Sequence, residues 1–305
     1  MGTGSHSQPM LGNLSEQGGQ TTMISVIGIV IVLGAVLTGF SMAGGHVHAL
    51  IHVSEIVTIG GAALGAMIAG SPKQVLIDVT KGLIDVVKGG NSGKKTYKEV
   101  FQVLYYFFCV ARRDGLLALE SILSEEGAAS PFSKYPTVAK DHHLKDFISD
   151  ALVAASEGAD GPQLQSLLDT DIRVIDEEHH AAVGALTRTA DALPGFGIVA
   201  AVLGIVITMG AIDGPVEEIG HKVGAALVGT FLGILVSYGI IGPLASRMEA
   251  LGHAETALRK TVAAAVVDFV EGGTPKAALE KARRGIGTDC RPSMKEMEEI
   301  YKAAA

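Results

Sequence analysis

The 305-residue chain is poor in charge and rich in glycine: 48% of its residues are hydrophobic, 18% are charged, 39 are Gly and the formal net charge is −8. A negative balance with no basic block excludes a nucleic-acid-binding surface. Two widely separated cysteines, Cys109 and Cys290, exclude a disulfide framework.

Residues 1–22 are polar and rich in Gly and Ser, and read as a vector-derived leader or a disordered arm. Met23–Ser54 carries no Asp, Glu, Lys or Arg, and after Glu55 the chain stays uncharged through Pro72. About 20 apolar residues suffice for one membrane-spanning helix, so residues 23–71 are predicted to form a transmembrane hairpin turning near Met42–His52. The first run is too long, and lacks the basic flank, for a cleaved signal peptide. Glu55 falls near the outer end of the second span. An intramembrane acid is a functional candidate by default, but at that interface its carboxylate reaches water or headgroups and reads as structural.

Residues 72–191 are predicted to be a helical cytoplasmic domain. Val75, Leu76, Val79, Leu83, Val86 and Val87 continue the second span at helical spacing until Gly89–Gly93 breaks it. A long helix is expected from Tyr97 to about Glu126, with others around Leu144–Glu157, started by Asp141, and Gln163–Leu193. The last runs toward the third span. Residues 192–246 form the second predicted hairpin, built from the uncharged runs Ala192–Ile212 and Val223–Ser246. Pro194 and Pro243 lie at one end of it, each either permitting a bend or marking a helix end. Residues 247–305 are expected to be cytoplasmic helices, beginning with an extension over Ala257–Glu271. No strand pattern appears, so the fold class is all-α: four spans with a large helical domain between the second and third.

Thirteen Lys and Arg lie in residues 73–190, whereas the short connections Met42–His52 and Asp213–Lys222 hold only Lys222. The positive-inside rule then puts the middle segment and both termini in the cytoplasm. Small residues recur every four positions at Ala225, Gly229, Gly233 and Ser237, and at Gly61, Gly65 and Ala69. Such stripes serve helix packing, within one subunit or between subunits.

Glu177-x-x-His180 has the spacing of one half of a di-iron bundle site, but no second copy accompanies it. His46, His48 and His52 cluster in the first turn without a ligand pattern. No P-loop, Gly-x-Ser-x-Gly or His-Glu-x-x-His is present, so no enzyme active site is visible.

Leu193–Val206 (LPGFGIVAAVLGIV) and Ala226–Ala245 (ALVGTFLGILVSYGIIGPLA) together resemble the MotA family of flagellar stator subunits. Arg112–Glu120 is similar to that family's rotor-contacting segment, and Arg291-Pro292-Ser293 with Glu296, Glu298 and Glu299 to its C-terminal end. The resemblance runs from Met23 to about Tyr301. It implies a pentameric ring around the helices of two MotB chains, with MotB supplying the essential ion-binding aspartate. It further implies that Pro194 and Pro243 couple conformational change, that Thr230 faces the ion site, and that Arg112 or Arg113 together with Glu120 meets the rotor protein FliG. Spaced eight apart on one helix, Arg112 and Glu120 differ by about 80° and share a face.

Thr230 lies roughly 10 Å in from the periplasmic end and Ala201 roughly 13 Å in from the opposite side, so the two can share a level near mid-membrane. Sodium-driven relatives carry Thr where Ala201 stands, so the expected ion is a proton, with sodium the alternative; no cofactor is expected. The competing readings are an ExbB/TolQ-like energiser, which differs in its spans and N-terminal side, and a polytopic scaffold without ion flux.

Overall fold

A computed structural model describes residues 17–125, 127, 130–210 and 212–304, with side chains from Ser25 onward. The leader assignment therefore lies largely outside the described residues, although residues 17–22 are helical. All regular structure among the described residues is helical, as the sequence predicts.

In chain order the helices are α1 (Gln17–Met42), α2 (Val53–Ala69), α3 (Lys73–Lys88), α4 (Lys94–Asp114), α5 (Ala118–Leu123), α6 (Pro136–Lys140), α7 (His142–Ser156) and α8 (Gly161–Met209). Then come α9 (Val216–Val236), a π-helical turn (Ser237–Ile241), α10 (Gly242–Val270), α11 (Pro275–Arg284) and α12 (Met294–Ala304). Among the described residues, four stretches are long and apolar enough to cross a membrane: Ser25–Met42, Val47–Ala69, Gly161–Met209 and Val216–Val270.

Two expected helices are interrupted. The run through Val75–Val87 is not a continuation of the second span, because Pro72 precedes a fresh helix start at Lys73. Proline lacks the N–H that would carry the ladder through. The helix expected from Tyr97 to Glu126 stops at Asp114: Gly115 adopts φ +90° with ψ 160°, a non-helical conformation open to glycine. The chain then starts α5 at Ala118; Glu126 itself lies outside the described residues.

The chain divides into two units. The first contains residues 90–176 and 251–305. Its core is built on one face of α4, where Phe101, Leu104, Phe107 and Phe108 are fully buried. Phe108 stacks on Phe269 with ring centroids 4.2 Å apart. Glu99, at the rim, accepts the backbone N–H of Thr137 at 2.7 Å and so caps α6. Asp141 caps α7 by accepting the Leu144 N–H, as its position before a helix start predicts.

The C-terminal motif is a set of helix caps. The Arg291 guanidinium donates to the Ile286 carbonyl at 2.7 Å, closing the end of α11. Ser293 and Glu296 form a reciprocal capping box, with the Ser293 N–H donating to Glu296 at 2.8 Å and the Glu296 N–H to the Ser293 hydroxyl at 3.3 Å. Lys98 and Lys94 of α4 meet the same carboxylate at 2.7 and 3.0 Å. Burial pushes the Glu296 carboxyl up, but these hydrogen bonds outweigh it and hold the group down at about 2.

The second unit contains residues 21–89 and 177–250. Ile59 and Ala63 of α2 bury against Leu193 and Ala200 of α8. Most of the remaining large apolar side chains of these helices are exposed, including Ile198, Val202, Ile205 and Val206. That is the expected surface of helices whose solvent is lipid or another helix.

Candidate functional site

The third span (the C-terminal part of α8) and the fourth (α9 with its π turn) touch through glycine. A Cβ placed on Gly197 would sit 2.9 Å from the Gly229 carbonyl oxygen and 3.2 Å from the Thr230 Cα. One on Gly233 would sit 2.7 Å from the Leu193 carbonyl oxygen, and one on Gly204 would sit 2.7 Å from the Ala226 Cβ. These contacts describe one antiparallel register, with backbone against backbone. The stripe through Gly229, Gly233 and Ser237 is thus an intrachain seam. The stripe at Gly61 and Gly65 has nothing within 4 Å.

The register brings Ala201 and Thr230 to one level. A Cβ on Gly229, beside Thr230, would meet the Ala201 backbone nitrogen at 3.5 Å and the Ala200 Cβ at 3.1 Å. Both residues are half-buried. Helical threonines in this unit, such as Thr187, Thr189 and Thr208, turn their hydroxyls back onto the carbonyl four residues earlier. Thr230 has no such bond among the described residues, which leaves its hydroxyl available to an outside partner.

Glu55 requires a correction. Its carboxylate is 7% exposed and lies against Gly229, where an added Cβ would be 2.7 Å from its Oε2. That oxygen has no hydrogen-bond partner among the described residues. The expected access of the carboxylate to water fails because the start of α2 packs against α9 at Gly229, level with Ala201. Sequence position measured from the end of the span could not reveal that packing.

Pro194 lies inside α8 rather than at a helix start, and Pro243 follows the π turn as the second residue of α10. The Ala190 carbonyl, which Pro194 deprives of its i+4 donor, accepts instead from the buried Ser237 hydroxyl at 2.6 Å. The sequence signals both prolines but gives no sign of this bond, which joins residues 47 apart.

In the first unit, Arg112, Arg113 and Glu120 are all exposed, but the shared helical face does not exist. Arg112 closes α4 and Glu120 sits in α5, with the Gly115 break between them. Arg113 is engaged by its neighbour: its Nη2 donates to Asp114 at 2.7 Å. That hydrogen bond raises the Arg113 guanidinium and lowers the Asp114 carboxyl. Arg112 has no intramolecular partner among the described residues.

Among the described residues, four stretches apolar enough to cross a membrane, with a glycine seam between two of them, define a polytopic membrane protein. The Motility protein A N-terminal family matches residues 26–115, and the MotA/TolQ/ExbB proton channel family matches residues 139–261. Motility protein A of Salmonella typhimurium is 32% identical, over 92% of this chain and 96% of its own length. The Chemotaxis protein LafT of Vibrio parahaemolyticus is 36% identical, over 90% and 97%. The flagellar MotAB stator complex of Bacillus subtilis has a chain with a TM-score of 0.67 and 25% identity, covering 84% of this chain and 92% of that one. A chain of C. jejuni MotAB shares the fold at a TM-score of 0.75 and 21% identity, over 89% and 99%. The chain belongs to the MotA/TolQ/ExbB proton channel family, on its MotA side. Members of that family transport ions rather than catalyse a reaction.

Proposed function

We propose that this chain forms the wall of a proton-driven flagellar stator, with a MotB-type partner supplying the ion-binding aspartate and FliG receiving the torque. The observation that carries the reading is the level shared by Ala201, Thr230 and the seam glycines, in a chain of this family. At that level Thr230 offers an unengaged hydroxyl and Glu55 one unpartnered carboxylate oxygen, while Ala201 offers no side-chain oxygen. A dehydrated sodium ion needs several oxygen ligands, whereas a proton needs one acceptor, so the wall suits protons.

In this mechanism both termini are cytoplasmic, and residues 72–191 and 247–305 work as the cytoplasmic part. A proton entering from the periplasm neutralises the partner aspartate. Neutralisation removes the desolvation penalty for moving that group past an apolar surface. The ring, a pentamer by analogy, then steps around the partner. The membrane potential contributes about 2.3 kcal/mol per charge per 100 mV. Pro194 and Pro243 give the spans a place to bend, and Arg112 with Glu120 transmits the step to FliG. Such exposed charges act by steering and registry, and weaken with salt.

The test is swimming in soft agar by a strain lacking the chain, with and without re-expression. Paralysed but filamented cells, rescued by the chain, are the expected result. Normal swimming without it, in a strain with no second stator set, refutes the assignment and favours an energiser of the ExbB kind.

A further inference from the structure

The bond between Ser237 and Ala190 stands apart from the other hydroxyl contacts in the membrane unit. Thr58, Thr187, Thr189 and Thr208 each bond the carbonyl four residues earlier on their own helix. That is the usual resting place for a hydroxyl in an apolar helix, where no water competes. Ser237 has the same option, the Gly233 carbonyl, and does not take it. It reaches across the seam to the one carbonyl in the third span that Pro194 leaves without a donor.

The donor side is equally particular. Ser237 is 1% exposed and is the first residue of the π turn. The Gly242 N–H closes that turn by donating to the Ser237 carbonyl. Pro243 follows immediately and has no N–H of its own. One residue therefore stands at the junction of both proline irregularities, with its side chain on one and its backbone on the other. π turns inside helices recur at functional positions because they hold a locally alternative hydrogen-bond register.

We propose that the Ser237 hydroxyl is a latch between the two prolines. Closed on the Ala190 carbonyl, it ties the third span to the fourth beside Pro194. Turned to the Gly233 carbonyl of its own helix, it releases that tie and lets the ends of the two spans move during a step. Each state satisfies the hydroxyl, but the open one leaves the Ala190 carbonyl without a donor, which favours the closed latch at rest. Ser237 is thus a positioning residue that acts through Pro194, and its role in torque rests on the stator reading above.

The test is a double-mutant cycle in the full chain co-expressed with its partner. Hydrogen–deuterium exchange is followed over residues 188–198, and torque per stator is read from the speed steps of single motors. Ser237→Ala is expected to speed exchange in that segment about tenfold, the loss of one buried hydrogen bond. In the Pro194→Ala background the restored N–H serves the Ala190 carbonyl, so adding Ser237→Ala changes exchange little. In motors, Ser237→Ala is expected to lower the height of each speed step without lowering the number of steps, which a general loss of folding would also reduce.

Equal acceleration of exchange in both backgrounds, or none in either, overturns the latch. So does an unchanged step height in Ser237→Ala motors. If the parent chain itself drives no motor, the stator reading fails and the exchange cycle alone decides the latch.

Discussion

Gly197 is where the structure makes its most exacting demand. Replacing it with Ala puts a Cβ 2.9 Å from the Gly229 carbonyl oxygen, 3.2 Å from the Thr230 Cα and 3.3 Å from the Gly233 Cα. All three are backbone atoms, which cannot swing aside as a side-chain tip can. Ordinary contact begins at 3.4 Å, so the third and fourth spans must part by roughly half an ångström, a gap that forfeits about a quarter of each dispersion contact along the seam. Overpacking of this kind costs about 1–3 kcal/mol, which in a chain of this size lowers Tm by roughly 2–10 °C. Gly195, two residues away, has nothing within 4 Å of an added Cβ. There Ala is the better helix former, by about 1 kcal/mol. The assay is thermal unfolding of the detergent-solubilised complex, followed by size-exclusion chromatography. A Gly197→Ala chain as stable as its parent would refute the backbone-to-backbone seam.

Other expectations follow from single contacts. Arg112→Glu should abolish torque in tethered cells, whereas Arg113→Ala should lower it little, since Arg113 is already spent on Asp114. Ala201→Thr adds a second hydroxyl at the level of Thr230, and should make swimming speed respond to external sodium where the parent is indifferent. Glu55→Gln keeps shape and removes charge, so the complex should still assemble; Glu55→Lys, which drives an ammonium against Gly229, should prevent its recovery from membranes. Glu296, ordinarily near 4.5, is held at about 2 in the fold. A depressed carboxyl stabilises above its unfolded value, so docking of α12 should be intact at neutral pH and fade as pH falls from about 4.5 toward 2. The full effect is on the order of 3 kcal/mol, and limited proteolysis of the C-terminal segment across that range measures it.

Much of this architecture is legible in the chain because a bilayer permits few solutions. Uncharged runs of span length can be little but helices, and Asp141 and Gly89 act where their chemistry says they should. Two breaks were misjudged because periodicity outweighed punctuation: Pro72 and Gly115 each sit within an apolar pattern that continues on both sides. The short helices α11 and α12 carry readable starts, Thr274-Pro275 and the Ser293–Glu296 box, but their apolar faces are narrow.

The proposed site is visible in the sequence only as residue types on the third and fourth spans. What the sequence could not give was depth and crossing contacts. Counting residues along the span gives Glu55 access to water, yet its carboxylate lies buried against Gly229. Ser237 looked like one small residue in a stripe, yet it satisfies a carbonyl on another helix. Both facts depend on the register between antiparallel helices, which no local pattern encodes.

The most direct test of the central claim is rotation of single tethered motors in sodium-free medium while this chain is re-expressed in a strain lacking it. The account predicts discrete upward speed steps that track the proton gradient and vanish with a protonophore. Steps that need sodium would overturn the proton assignment, and filamented cells that rotate fully before re-expression would contradict the stator role itself.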